Sequence, residues 1–345
     1  MAEQNVHSTI IDVTSSSVVK SPYNWRMAET GLQAWNSGAY LRCAFSGSDA
    51  CTVNLDQSGV LETVQIRTRV DGGAWSEQIP VTPATSQIAV NGITGIGSHT
   101  VELMLDSTPQ SSNRWTCIEN LLRVVSFDVS QGTAQNITPA SRRALFYGDS
   151  IWEGIFIDGN GGFIFSHVQG YCHLAAEHLR TADYEVGAVA CGYSGWLASV
   201  PMGVPFGFNP AAPSTDWWDM IDSDTARVSG AIWPDGPPDL IVTEWGTNDA
   251  LQGISDSALL GSVSGFIAAA RTAAPDSIIV ISVPVGQFKQ NVLAQAVATA
   301  NDANTRLLDM GAIFGGYDVH PTTSQHTNDI APAFIAALDD AIAAD

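Results

Sequence analysis

The feature that most restricts the fold of this chain is a change in hydrophobic period near residue 140. Between about residues 36 and 130, short runs rich in Val, Ile, Thr and aromatics are broken by Gly, Asp, Asn and Ser clusters, the pattern of antiparallel strands. The predicted strands are Ala39–Phe45, Cys51–Leu55, Glu62–Val70, Ser86–Val90, His99–Leu105 and Leu121–Val129, with Asp71-Gly72-Gly73 supplying turn chemistry after Val70. A small, jelly-roll-like β-sandwich over residues 1–135 accounts for them. Ser130–Ser141 holds Gly132, Thr133, Asn136 and Pro139 with little apolar content, and reads as a linker.

From Arg143 onward, buried strands alternate with longer helical stretches. Strands are expected at Ala144–Tyr147, Tyr184–Ala190, Asp239–Glu244, Ser277–Val283 and Leu307–Met310. Helices are expected at His167–Arg180, Asp256–Thr272, Gln290–Thr305 and Asn328–Ala344. Alternating β and α elements over residues 141–345 imply a parallel sheet covered on both faces. In such folds a site forms beyond the carboxyl ends of the strands.

Composition narrows the partners. At 45% hydrophobic content, 345 residues suffice for two packed domains. A formal charge of -21 repels phosphate backbones and anionic lipid surfaces, so neither nucleic acid nor a membrane is an expected partner. No apolar run reaches the roughly 18 residues of a membrane span. The start, MAEQNVHSTIIDV, lacks a basic region followed by an apolar stretch, so a signal peptide is expected to be absent or already removed. The acidic surface suits secretion or a periplasmic setting. Five cysteines leave at least one unpaired and none has a C-x-x-C spacing; Cys43 and Cys51 are candidates for a bridge across a hairpin, while Cys172 and Cys191 read as buried apolar groups. Oligomeric state is left open.

Three short motifs fall at the expected carboxyl ends. Gly148-Asp149-Ser150 follows the first parallel strand, Gly246-Thr247-Asn248-Asp249 follows the third, and His320-Pro321 follows the last, just ahead of the final helix. Each has a plain structural reading, since Ser, Asp and Asn cap helices and a lone His often decorates a loop. In common they offer a hydroxyl nucleophile, an amide donor and a base at one rim. His326 is a rival for the base. His167, His173 and His178 are spaced by six and five residues, which does not stack them on one face as metal ligands, so no metal is expected.

Together these residues resemble the SGNH (GDSL) hydrolase superfamily over about Arg143 to Ala336, with Phe146–Gly154 as the first block and Gly246–Asp249 as the third. A Gly in the loop after the second strand would be the second block, and Ala190-Cys191-Gly192-Tyr193-Ser194-Gly195-Trp196 fits, Gly195 being preferred and Gly192 the alternative. The resemblance implies a flavodoxin-like α/β domain and a serine esterase. In it Ser150 attacks, His320 is the general base, and the Ser150 amide, Gly195 amide and Asn248 side chain hold the oxyanion, without a cofactor. It also implies an Asp three residues before the His. That place is taken here by Tyr317, so Asp318, two residues before, is the expected partner of His320, with a Ser–His dyad as the alternative.

A sandwich ahead of such a domain resembles microbial carbohydrate esterases that remove acetyl groups from polysaccharides. Trp152, Trp196 and Trp245 each adjoin a block and are expected either to wall the pocket and bind a sugar or to pack in the core. The expected substrate is an acylated carbohydrate. The alternatives are a lipase-like or thioesterase-like hydrolase of short-chain esters, and a carbohydrate-binding protein with an inactive hydrolase domain.

Overall fold

The computed structural model describes residues 8–109, 121–157, 165–198, 220–222, 225–226, 235–311 and 319–343. They fall into two compact units, one running to Pro109 and from Leu121 to Pro139, the other from Ala140 onward.

The first unit is two antiparallel sheets. One has the spatial order Arg26–Ala28, Gly31–Ala34, Leu122–Val129, Cys51–Leu55, Gln87–Val90, with Thr9–Asp12 also paired to Leu122–Val129. The other has the order Thr133–Ala134, Tyr40–Ser46, Ser98–Ser107, Val64–Val70, Ile79–Val81, with Val18–Lys20 on Tyr40–Ser46. Two-residue periodicity builds the core between them: Cys51, Val53 and Leu55 of one strand are buried while Thr52 and Asn54 are not. Phe45, Leu41, Leu103 and Phe127 join the same cluster. The amide of Gly73 donates to the Val70 carbonyl across Asp71-Gly72, both with left-handed φ, as a tight two-residue turn requires.

Two expectations change here. Thr133–Ala134, read as linker, pairs with Ser46 and Phe45; two exposed residues leave no hydrophobic pattern to detect. Cys43 and Cys51 carry free thiols. The strands that hold them belong to different sheets, so they do not form a hairpin. Burial pushes the Cys51 thiol up to about 12, as suits an apolar packing group.

The second unit is built on five parallel strands: β1 (Arg142–Gly148), β2 (Tyr184–Ala190), β3 (Leu240–Glu244), β4 (Ile278–Ser282) and β5 (Thr305–Leu308). Their order, β2-β1-β3-β4-β5, is the flavodoxin-like one, with the switch point at β1, between β2 and β3. β2 and β3 are buried at every residue, as strands covered on both faces must be. The helices are α1 (Ser150–Glu153), α2 (Tyr171–Thr181), α3 (Thr247–Leu251), α4 (Asp256–Ala273), α5 (Gln290–Ala300), α6 (Thr323–Gln325) and α7 (Ala331–Ala343), the last reached through a π-helical turn at His326–Ile330. α5 stops short of its expected end because Asn301 turns left-handed and Thr305 already belongs to β5. α2 starts at Tyr171, so His167 precedes the helix. Among the described residues no helix is long and apolar enough to cross a membrane.

Candidate active site

Three loops leave the carboxyl ends of β1, β2 and β3. After β1, Asp149 caps α1 by accepting from the Ile151 amide at 2.9 Å, and this sets Ser150 as the first helical residue. Gly148 has to be glycine, since a Cβ there would stand 2.4 Å from the Trp152 ring. Ser150 is 8% exposed.

His320 arrives from the other end of the unit. Its Nε2 lies 2.9 Å from Ser150 Oγ. The residues just after it are anchored: Thr322 and Gln325 form a reciprocal capping box, and Thr323 Oγ1 donates to the Ile157 carbonyl. The half-buried Phe156 ring meets the imidazole edge to face at 5.1 Å and itself packs on Phe165. These two rings are not legible in the sequence, because neither Phe lies in a motif and Phe156 meets a histidine from a distant loop.

Asn248 lies inside α3, whose cap position is Gly246. Its Nδ2 donates to the Ser194 carbonyl at 2.8 Å and to Asp149 Oδ2 at 3.3 Å, so the amide spans from the residue before Gly195 to the residue before Ser150. The β2 loop is held from several sides. Glu153 accepts from the Gly192 amide, Ser194 Oγ donates to the Gly148 and Cys191 carbonyls, and the Asp249 carboxylate accepts from the amides of Trp196, Leu197 and Ala198. Asp318 lies outside the described residues.

Beneath the site the acids are fully buried. Burial, reinforced by the charges of Asp249 and Glu153 against the opposing pull of the Ile151 amide, pushes Asp149 up to about 7. Burial, and then the charge of Asp149, drives Glu244 well above the carboxylate range. Asp249 is raised as well, burial outweighing its three amide donors.

Four other histidines of this unit make contacts of their own and are not bonded to Ser150. His326 is 1% exposed, stacks on Tyr171 and accepts from the Tyr171 amide at Nδ1; burial, and then His320, lowers it to about 4. His167 and His173 are buried with rings 5.7 Å apart, and His178 pairs with Asp339. No cluster of potential metal ligands occurs among the described residues.

The three tryptophans need correction as pocket walls. Trp152, Trp196 and Trp245 have no exposed surface and so offer no face to a sugar. Trp152 packs on Phe146, Tyr171 and Phe334 on one side of the sheet. Trp196 and Trp245 meet edge to face at 5.0 Å, with Phe266 and Tyr147 against them, and Trp196 Nε1 donates to the Trp245 carbonyl. A large ring next to a short reactive loop is what fills the helix–sheet layer under that loop.

No protein-family model matches the sequence, nor does any curated relative. Solved structures do. A family two carbohydrate esterase from Cellvibrio japonicus is 19% identical over 97% of this chain and 98% of its own, with a TM-score of 0.77. A family two carbohydrate esterase from Clostridium thermocellum, solved in complex with cellohexaose, is 18% identical over 94% and 99%, with a TM-score of 0.73. An acetyl xylan esterase from the rumen bacterium Butyrivibrio proteoclasticus is 15% identical over 97% and 98%, with a TM-score of 0.76. Over nearly its whole length, the chain has the fold of the family two carbohydrate esterases, an antiparallel β-sandwich followed by a five-stranded parallel α/β domain.

Proposed function

We propose that this chain is a serine esterase that removes acetyl groups from an acylated polysaccharide or oligosaccharide through an acyl-enzyme. The observation that carries the proposal is the 2.9 Å approach of His320 Nε2 to Ser150 Oγ at the carboxyl ends of a parallel sheet. A serine hydroxyl is a weak nucleophile until a base takes its proton, and an imidazole at hydrogen-bond distance is such a base. Ser150 Oγ attacks the ester carbonyl carbon as its proton passes to His320 Nε2. The sugar hydroxyl leaves with that proton, and water deprotonated by His320 then releases acetate and regenerates Ser150.

The tetrahedral oxyanion is held by the amides of Ser150 and Gly195 and by Asn248 Nδ2. Asp318 is assigned to orient His320. No cofactor takes part in any step. The carbohydrate substrate is supported by the likeness to carbohydrate esterases, one of them solved with cellohexaose, and by the acidic surface, which disfavours polyanions. Such a polymer is met outside the cytoplasm, so a secreted or periplasmic enzyme is proposed.

Phe156 beside His320, with Phe165 packed on it, favours a second reading, hydrolysis of more apolar short-chain esters. Acetate release from acetylated xylan, compared with a chain-length series of aryl esters, tests both. The first reading expects acetate release and a rate that falls steeply beyond acetyl. Rates that rise toward butyrate or longer, with no acetate freed from the polymer, would overturn it.

A further inference from the structure

Gly195 lies between two neighbours that α3 holds. Asn248 Nδ2 binds the Ser194 carbonyl before it, and Asp249 Oδ2 binds the Trp196 amide after it, at 2.8 and 2.9 Å. Asp249 Oδ1 adds the amides of Leu197 and Ala198 at 2.8 and 2.9 Å. A trans peptide is planar, so the unit carrying the Gly195 N–H also carries the Ser194 C=O, and fixing one end fixes the direction of the other. The fit is close: a Cβ on Gly195 would stand 2.4 Å from Asp249 Oδ2 and 2.8 Å from the Ala198 side chain. Glu153 of α1 grips the opposite end of the loop through the Gly192 amide at 3.0 Å. Two buried carboxylates, one on the helix that begins with Ser150 and one next to Asn248, thereby hold a loop that has no regular structure of its own.

We infer that Asp249 is a positioning residue, whose carboxylate, by gathering the three amides after Gly195, holds the Gly195 peptide in the orientation that the oxyanion site needs. The inference rests on the esterase proposal. Donors to an oxyanion act only when already aimed at the place where charge develops, so a loosened loop lowers transition-state stabilisation and leaves ground-state binding in place.

The test is Asp249→Asn in the full chain, assayed on an aryl acetate and with an aryl boronic acid, whose tetrahedral adduct mimics the intermediate. An amide oxygen accepts but its NH2 does not, so one arm of the clamp is lost. The expected result is a kcat about 10- to 100-fold lower with KM within about threefold, and boronate affinity falling in step with kcat. Combining it with Gly195→Ala, which drives a methyl into the same carboxylate, should add little to the larger single effect. An active wild type with Asp249→Asn within twofold in kcat, or a loss confined to KM, overturns this inference and leaves the esterase proposal standing. A wild type inert to both ester and boronate overturns both. If Asp249→Asn does not fold, Asp249→Glu, which keeps the carboxylate but displaces it by one methylene, decides: a folded variant with lowered kcat and preserved KM upholds the clamp, and one with wild-type kcat overturns it.

Discussion

Asn248 Nδ2 reaches both the Ser194 carbonyl and Asp149 Oδ2, so one amide joins the loops that follow β1 and β2. In the proposed mechanism an oxyanion forming at Ser150 takes over the Nδ2 hydrogen that makes the longer, 3.3 Å contact to Asp149. We therefore expect Asn248→Ala to lower kcat by about 10²–10³ with little change in KM, measured by steady-state kinetics on an aryl acetate. An effect on KM alone would make Asn248 a ground-state binding residue.

Asp318 is proposed to hold the His320 ring in the tautomer that leaves Nε2 facing Ser150. Asp318→Asn should then reduce kcat at least a hundredfold, approaching His320→Ala, since loss of such an acid costs up to about 10⁴. Near wild-type turnover in Asp318→Asn would mean a Ser–His dyad and leave Asp318 an ordinary loop residue.

His326 predicts a pH effect separate from chemistry. The folded chain keeps His326 neutral down to about 4, while the unfolded chain takes up that proton near 6.5. The unfolded state therefore binds more protons in this window. The His326 contribution is fully present above about 6.5 and is lost as pH falls toward 4. Asp149, raised from 3.8 to about 7, works the other way: its contribution is present at low pH and is lost as pH rises through 7. Urea midpoints of wild type and His326→Gln at pH 7 and 4.5 isolate the first term, and wild type should lose more stability on acidification. Parallel losses would refute the assignment. On the folded fraction, His326→Gln should still turn over ester, which His320→Ala should not.

Trp152 is assigned to packing. Trp152→Phe removes the indole N–H that donates to the Tyr171 hydroxyl and leaves a gap against Phe334. A loss of about 1–3 kcal/mol in stability with KM unchanged is expected from chemical denaturation and kinetics. A several-fold rise in KM for oligosaccharide at unchanged stability would return Trp152 to the pocket wall.

What the sequence made legible follows from where its periods are strong. β2 and the strand Cys51–Leu55 were read to the residue because burial on two faces, or strict alternation, marks every position. The short strands Thr9–Asp12 and Arg26–Ala28 were missed, since three or four mostly exposed residues carry little pattern. At the site, the loops after β1 and β3 were legible because Ser150 and Asn248 stand in compact motifs directly after apolar strands. Phe156 and the Asp249 clamp were not, because their partners come from distant loops and an Asp beside Asn reads equally well as a turn residue. The tryptophans misled for the converse reason, since adjacency to a motif in sequence says nothing about which side of the loop a ring occupies.

The most direct test of the central claim is the site of covalent capture by a serine-reactive aryl phosphonate, mapped by mass spectrometry of the intact chain and its peptides. The account predicts one adduct, on Ser150, that forms in step with loss of acetate release and is absent from both Ser150→Ala and His320→Ala, the latter keeping its hydroxyl but lacking the base. An adduct on another serine, or full acetate release by a folded Ser150→Ala chain free of wild type, would contradict it.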